Sequence, residues 1–85
     1  MVLIYMRDKA LKVGFSVSAK VGGAVTRNRL RRWMHEDFRM LRPGLKPGKY
    51  VFAARSAAAH TGHRAMGEEM RRLLTRAALF KEEGR

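Results

Sequence analysis

The residues best suited to chemistry are Arg27, Asn28, Arg29, Arg31 and Arg32, which open an amphipathic helical pattern and set four guanidinium groups around one asparagine. A guanidinium carries planar paired donors that match phosphate oxygens, and it stays charged at any working pH. The first turn of a helix adds free backbone N–H groups and a positive dipole end. Solvated helix faces normally mix charge signs, whereas Arg27 through Arg32 contains no acid. The run is therefore read as a grip on an RNA or DNA backbone. The whole chain agrees: 19 Lys plus Arg against 7 Asp plus Glu give a formal charge of +12 on 85 residues and a pI near 11.5. Charge alone would equally suit an acidic membrane surface or an acidic protein, so its position decides.

Other chemistry is sparse. His60 and His63, with His35 elsewhere, lack a third strong ligand, so no metal site is expected. Glu36 and Asp37 are chain neighbours expected to point in different directions on a helix, and no Ser or Thr stands with a His and an acid. No catalytic residue is expected in this chain. The absence of cysteine removes disulfides and thiolate chemistry, and a reducing cytoplasm is the default. The Gly22-Gly23 pair reads first as a turn; as an anion nest it lacks the Gly-Lys-Ser or Gly-Lys-Thr ending of a phosphate-binding loop.

The elements that must position the arginines follow from periodicity. Val2 to Met6 reads as a strand that stops at Arg7-Asp8-Lys9, and a second strand runs from about Lys12 to Ser18. The short polar link suggests that these two form an antiparallel hairpin. Val13, Phe15 and Val17 alternate with Gly14, Ser16 and Ser18, giving one apolar side and one small, polar side that faces either water or a ligand. A helix is expected from about Thr26 to Leu41, with Leu30, Trp33, Met34, Phe38 and Leu41 inward and Arg27, Arg31, Asp37 and Arg42 away from that stripe. Pro43-Gly44 ends it, Lys49 to Arg55 makes a third strand, and a second helix from about Thr61 or Gly62 carries Met66, Met70, Leu73, Leu74, Ala77 and Ala78 on one face. Lys81 to Arg85 is expected to fray. The order is β-β-α-β-α in a single domain, 1–85, whose size permits only a modest core.

With Gly14-Phe15-Ser16-Val17-Ser18, Lys20-Val21-Gly22-Gly23-Ala24-Val25-Thr26-Arg27-Asn28-Arg29-Leu30-Arg31-Arg32, Phe38-Arg39 and Ala54-Arg55 in place, the chain resembles the protein subunit of bacterial ribonuclease P from Val2 through Leu79. The resemblance implies an α+β two-layer sandwich with a left-handed βαβ crossover, against the general right-handed rule. It implies part of a ribonucleoprotein endoribonuclease whose catalyst is an RNA that removes the 5′ leader of precursor tRNA with bound magnesium. The Mg2+ would be held mainly by that RNA, with none on the protein alone. Arg27, Asn28, Arg29, Arg31, Arg32 and Lys20 would hold the catalytic RNA, and Ser16, Ser18, Lys20 and Arg55 would line the path of the single-stranded leader.

Family members usually carry an N-terminal helix and a first strand ahead of the point where this sequence starts, and that helix forms one wall of the leader cleft. Both are expected to be missing here, which weakens leader stacking and leaves a sheet face to be exposed or covered by another chain. The competing reading is a general RNA-binding or ribosome-associated module using the same arginines. A membrane-active cationic protein is the weaker third, because it needs an amphipathic helix free to lie on lipid. Neither a membrane nor a small-molecule substrate is expected as partner.

Overall fold

Three short segments rich in apolar and β-forming residues produce three strands, and they assemble in an order that differs from their order along the chain. The computed structural model describes residues 1–81. Within them β1 is Val2–Met6, β2 Leu11–Val17, α1 Ala24–Leu41, β3 Gly48–Ala54 and α2 His63–Arg76. β3 is central: β1 runs antiparallel along one edge with Ile4 opposite Val51, and β2 runs parallel along the other with Gly14 opposite the same Val51. The expected β1–β2 hairpin is thus corrected. The two strands are joined through residues 7–10 yet separated by β3. The reason lies in β3 itself, which buries Gly48, Tyr50, Phe52 and Ala54 and carries one charge, Lys49. The most buried strand has the most to lose from an unpaired edge, so it takes the centre.

Both helices pack on the sheet face that carries Tyr50 and Phe52. α1 contributes Leu30, Met34 and Phe38, and α2 contributes Met66, Met70 and Leu74, each set at four-residue spacing. Phe38 meets Tyr50 and Phe52 edge-on with ring centroids 5.6 and 5.7 Å apart. Such aromatic contacts add about 0.5–1.5 kcal/mol beyond the area they bury. The Tyr50 hydroxyl donates to the Lys46 carbonyl at 2.7 Å, and burial pushes its pKa up to about 12. The opposite sheet face presents Lys12, Ser16 and Lys49 around apolar residues, of which Ile4 is 52% and Met6 60% exposed.

The element ends depart from the periodic reading. α1 starts at Ala24 because Gly23, extended at φ −73 and ψ 179, takes the N-cap position, and its carbonyl accepts from Arg27 N at 3.0 Å. α2 stops at Arg76, so Ala77 and Ala78 lie beyond the apolar stripe expected to hold them. Ala78 has a left-handed φ of 57, its N–H donates to Thr75 O, and Leu79 N–H donates to Leu74 O at 3.1 Å. This is the Schellman closure with alanine where glycine is usual. Leu79 is buried and Phe80 bridges to Leu45, while Lys81 N donates to Gly44 O at 2.8 Å. The chain is therefore tied down through Lys81, and the rest of the tail expected to fray lies outside the described residues.

Candidate nucleic-acid interface

The arginines occupy the first turns of α1, where backbone and side chains reinforce one another. Gly23 supplies no side-chain cap and the first turn contains no acid, so the N–H groups of the opening turn face outward without an internal anion. Three of the four arginines are oriented by neighbours. Arg27 Nε donates to the Gly22 carbonyl at 3.2 Å, Arg31 Nη1 donates to Asn28 Oδ1 at 3.0 Å, and Arg29 Cζ lies 5.3 Å from the Trp33 ring centroid. Arg32 is exposed, whereas Arg27 and Arg31, expected to lie away from the apolar stripe, are half-buried at its edges. Arginines held in this way lose less freedom when they meet a phosphate.

Trp33 is half-buried at the contact with α2, where its ring stacks on His63 with centroids 5.1 Å apart and planes 2° apart. Packing, as expected, is its role. Asp37 is a correction: expected to face solvent, it turns toward α2, where its Oδ1 lies 3.2 Å from His63 Nε2. Glu36 Oε2 also comes within 3.9 Å of that nitrogen, so the two neighbouring acids converge on His63, against the expectation that they diverge. The other Asp37 oxygen is buried with no hydrogen-bond partner, and desolvation raises this carboxyl above its ordinary 3.8 against the pull of His63. Gly67 permits the approach, since a Cβ there would stand 3.1 Å from that oxygen. Both acids of α1 thus reach toward His63 on α2, and the flank that carries Arg32, Arg39 and Arg42 lies on the other side.

That other flank is longer than the sequence reading allowed. Asn28, Arg32, His35, Arg39 and Arg42 recur at three- and four-residue spacing, are all exposed, and make one polar row with three arginines along α1 and its C-cap. The row spans about 21 Å at 1.5 Å per residue. For His35 and Arg39 the three- and four-residue spacing was itself the available signal.

The parallel strands deliver the remaining candidates to one end of the sheet. Ser18 N donates to Ala54 O at 3.1 Å, which holds the exits of β2 and β3 together. Ser18, Lys20 and Arg55 all lie just past those exits, beside the start of α1, and all are exposed. Ser18 Oγ accepts from Lys20 N at 3.2 Å, so its hydroxyl shapes the turn. The carboxyl ends of parallel strands are where open α/β sheets habitually bind ligands. Ser16 stands apart from the arginines, exposed on the open sheet face opposite Ala53. Among the described residues no three His, Asp or Glu side chains converge as a metal site, and no helix is long and apolar enough to cross a membrane.

Comparison with known proteins adds an independent line. The profile of the Ribonuclease P family matches residues 1–78. The ribonuclease P protein component of an Exiguobacterium species is 39% identical over 74 residues, covering 87% of this chain and 65% of that protein. That of Caldanaerobacter subterraneus is 36% identical over 88 residues, covering 99% and 76%. The fold superposes on a mutant Staphylococcus aureus RNase P protein with a TM-score of 0.85 at 26% identity, covering 92% of this chain and 69% of that one. For the RNase P protein of Thermotoga maritima the TM-score is 0.78 at 25% identity, covering 87% and 76%.

Proposed function

This chain belongs to the ribonuclease P protein family, and we propose that it serves as the protein subunit of a bacterial ribonuclease P, binding the catalytic RNA and assisting removal of the 5′ leader from precursor tRNA. The observation that carries this reading is the uncapped, acid-free start of α1 with its four arginines, three of them held in place by neighbours. Contacts of this kind position an RNA backbone and carry no sequence information directly. In this reading the partner RNA would supply the bond-breaking centre and would hold the magnesium, whose chemistry there would be the activation of water. The protein's part is charge: a domain of +12 offsets repulsion between two polyanions, the catalytic RNA and its substrate. Ser18, Lys20 and Arg55 at the strand exits, with Ser16 on the open face, are the residues we assign to the leader. A cytoplasmic setting goes with this role.

The test is cleavage of precursor tRNA by a bacterial ribonuclease P RNA at low magnesium, with and without the chain. The protein is expected to raise the rate most where the RNA alone is poor. Tight RNA binding without stimulation would restrict the role to assembly. Equal affinity for unrelated RNAs, with no preference for precursor over mature tRNA, would replace this reading with a general RNA-binding module.

A further inference from the structure

The polar row on α1 does not end at Arg32. Where it passes the outer edge of β2 the surface sinks into a groove of about 300 Å³, floored by Val13, Phe15 and Phe38 and rimmed by His35, Arg39 and Arg42. That volume is at the small end of ligand-sized concavities, roughly 300–1,000 Å³. Phe15 meets His35 edge-on at 4.4 Å between centroids and lies near-parallel to Phe52, 6.0 Å away and 19° inclined. The floor is thus rigid and aromatic. Among the described residues β2 pairs with β3 alone, so its outer backbone groups have no strand partner there, and Arg42 Nη2 reaches the Leu11 carbonyl at 3.4 Å. Glu36 is the one acid on the lining, and its carboxylate lies toward His63 on the α2 side.

An apolar, aromatic floor under a cationic rim suits a nucleotide better than a bare phosphate, because the base needs the first and its flanking phosphates the second. We propose that this groove receives one unpaired nucleotide of the catalytic RNA, its base against Phe15 and His35 and its phosphates on Arg39 and Arg42. The inference rests on the reading that this chain binds that RNA. It adds a second contact point, on the helix-covered side of the sheet and continuous with the arginine start of α1, whereas Ser16 faces the opposite side. The free edge of β2 offers N–H and C=O groups to the hydrogen-bonding edge of the base.

The experiment is binding of the full chain to a bacterial ribonuclease P RNA over a KCl series, comparing wild type, Arg39→Ala with Arg42→Ala, and Arg27→Ala with Arg29→Ala and Arg31→Ala. Loss of Arg39 and Arg42 is expected to weaken binding about tenfold or more, as two charged contacts should. It should also lower the salt slope by about 1.4, at about 0.7 per single-stranded phosphate. A photoreactive benzoylphenylalanine in place of the exposed His35 should crosslink to an unpaired nucleotide. Wild-type affinity in the Arg39/Arg42 variant, or crosslinks confined to helical RNA, would overturn the groove while leaving the larger reading intact, provided the Arg27/Arg29/Arg31 variant still loses binding. Unchanged binding in both variants would overturn both.

Discussion

Replacing Arg27, Arg29 and Arg31 together by alanine tests the central assignment. The three side chains lie on α1 before its first acid, Glu36, so each is free to meet a phosphate without an internal competitor. A charged hydrogen bond contributes about 1.5–3 kcal/mol when well formed, and partial exposure reduces that to about 1 kcal/mol each. The sum, about 3 kcal/mol, corresponds to a weakening of about 150-fold at 1.4 kcal/mol per tenfold. Three lost phosphate contacts should also reduce the slope of log K against log salt by about 2 to 2.7. Arg27 and Arg31 are held by different acceptors, the Gly22 carbonyl and Asn28 Oδ1, so the losses of the single variants should add in the triple one. Folding should suffer little, because none of the three belongs to the core; losing the Arg29 contact with Trp33 costs about 0.5–1 kcal/mol. The assay is filter binding to a bacterial ribonuclease P RNA across KCl concentrations, with Arg76→Ala on α2 as control. A triple variant with the affinity and slope of the control would refute the placement of RNA on this end of α1.

Three further outcomes concern the scaffold. Gly48→Ala should destabilise the fold by about 2 kcal/mol or more in chemical denaturation, because φ is +149 there and the new Cβ would fall on the Tyr5 ring; a loss under 0.5 kcal/mol would contradict the described β1–β3 contact. Ala78→Gly should stabilise by about 0.5–1 kcal/mol, since left-handed backbone costs alanine more than glycine, and a lower melting temperature would argue against the closure of α2. Asp37→Asn probes the raised carboxyl. Desolvation makes the folded chain hold the Asp37 proton more tightly than the unfolded chain, so its favourable contribution is complete below 3.8 and is lost as pH rises through the raised folded value. The stability of wild type relative to Asp37→Asn should therefore fall across that window on the acid side, and a flat difference there would remove the burial argument.

Much of the scaffold was legible because its signals are local. Local composition marked three strands, alternation gave the two faces of β2, and helical spacing marked Leu30, Met34, Phe38, Met66, Met70 and Leu74 as inward. Alternation states which face a residue takes, however, and says nothing of the neighbouring strand; β1 and β2 looked like a hairpin because the claim of β3 on both of them is made by residues more than thirty positions on. Asp37 was misplaced for the same reason, since its partner His63 and the room left by Gly67 lie on another helix. Ala77 and Ala78 continued the apolar period of α2, and no glycine or proline announced its end. At the site, the arginine run was plain from charge and spacing. The gathering of Ser18, Lys20 and Arg55 depends on the parallel pairing of β2 with β3, which no local pattern encodes.

The central position of β3 has a kinetic consequence. Among the described residues β1 and β2 hydrogen-bond to β3 and not to each other, so neither meets that partner until residues 48–54 have been synthesised. Until then residues 1–47 hold two strand segments still waiting for β3 and one amphipathic helix, and loop closure across that span must precede the pairing of β3 with either. Collapse is then a late and concerted event. A nascent chain stalled before Gly48 would offer its arginines to RNA while still lacking a sheet, so binding there would precede folding.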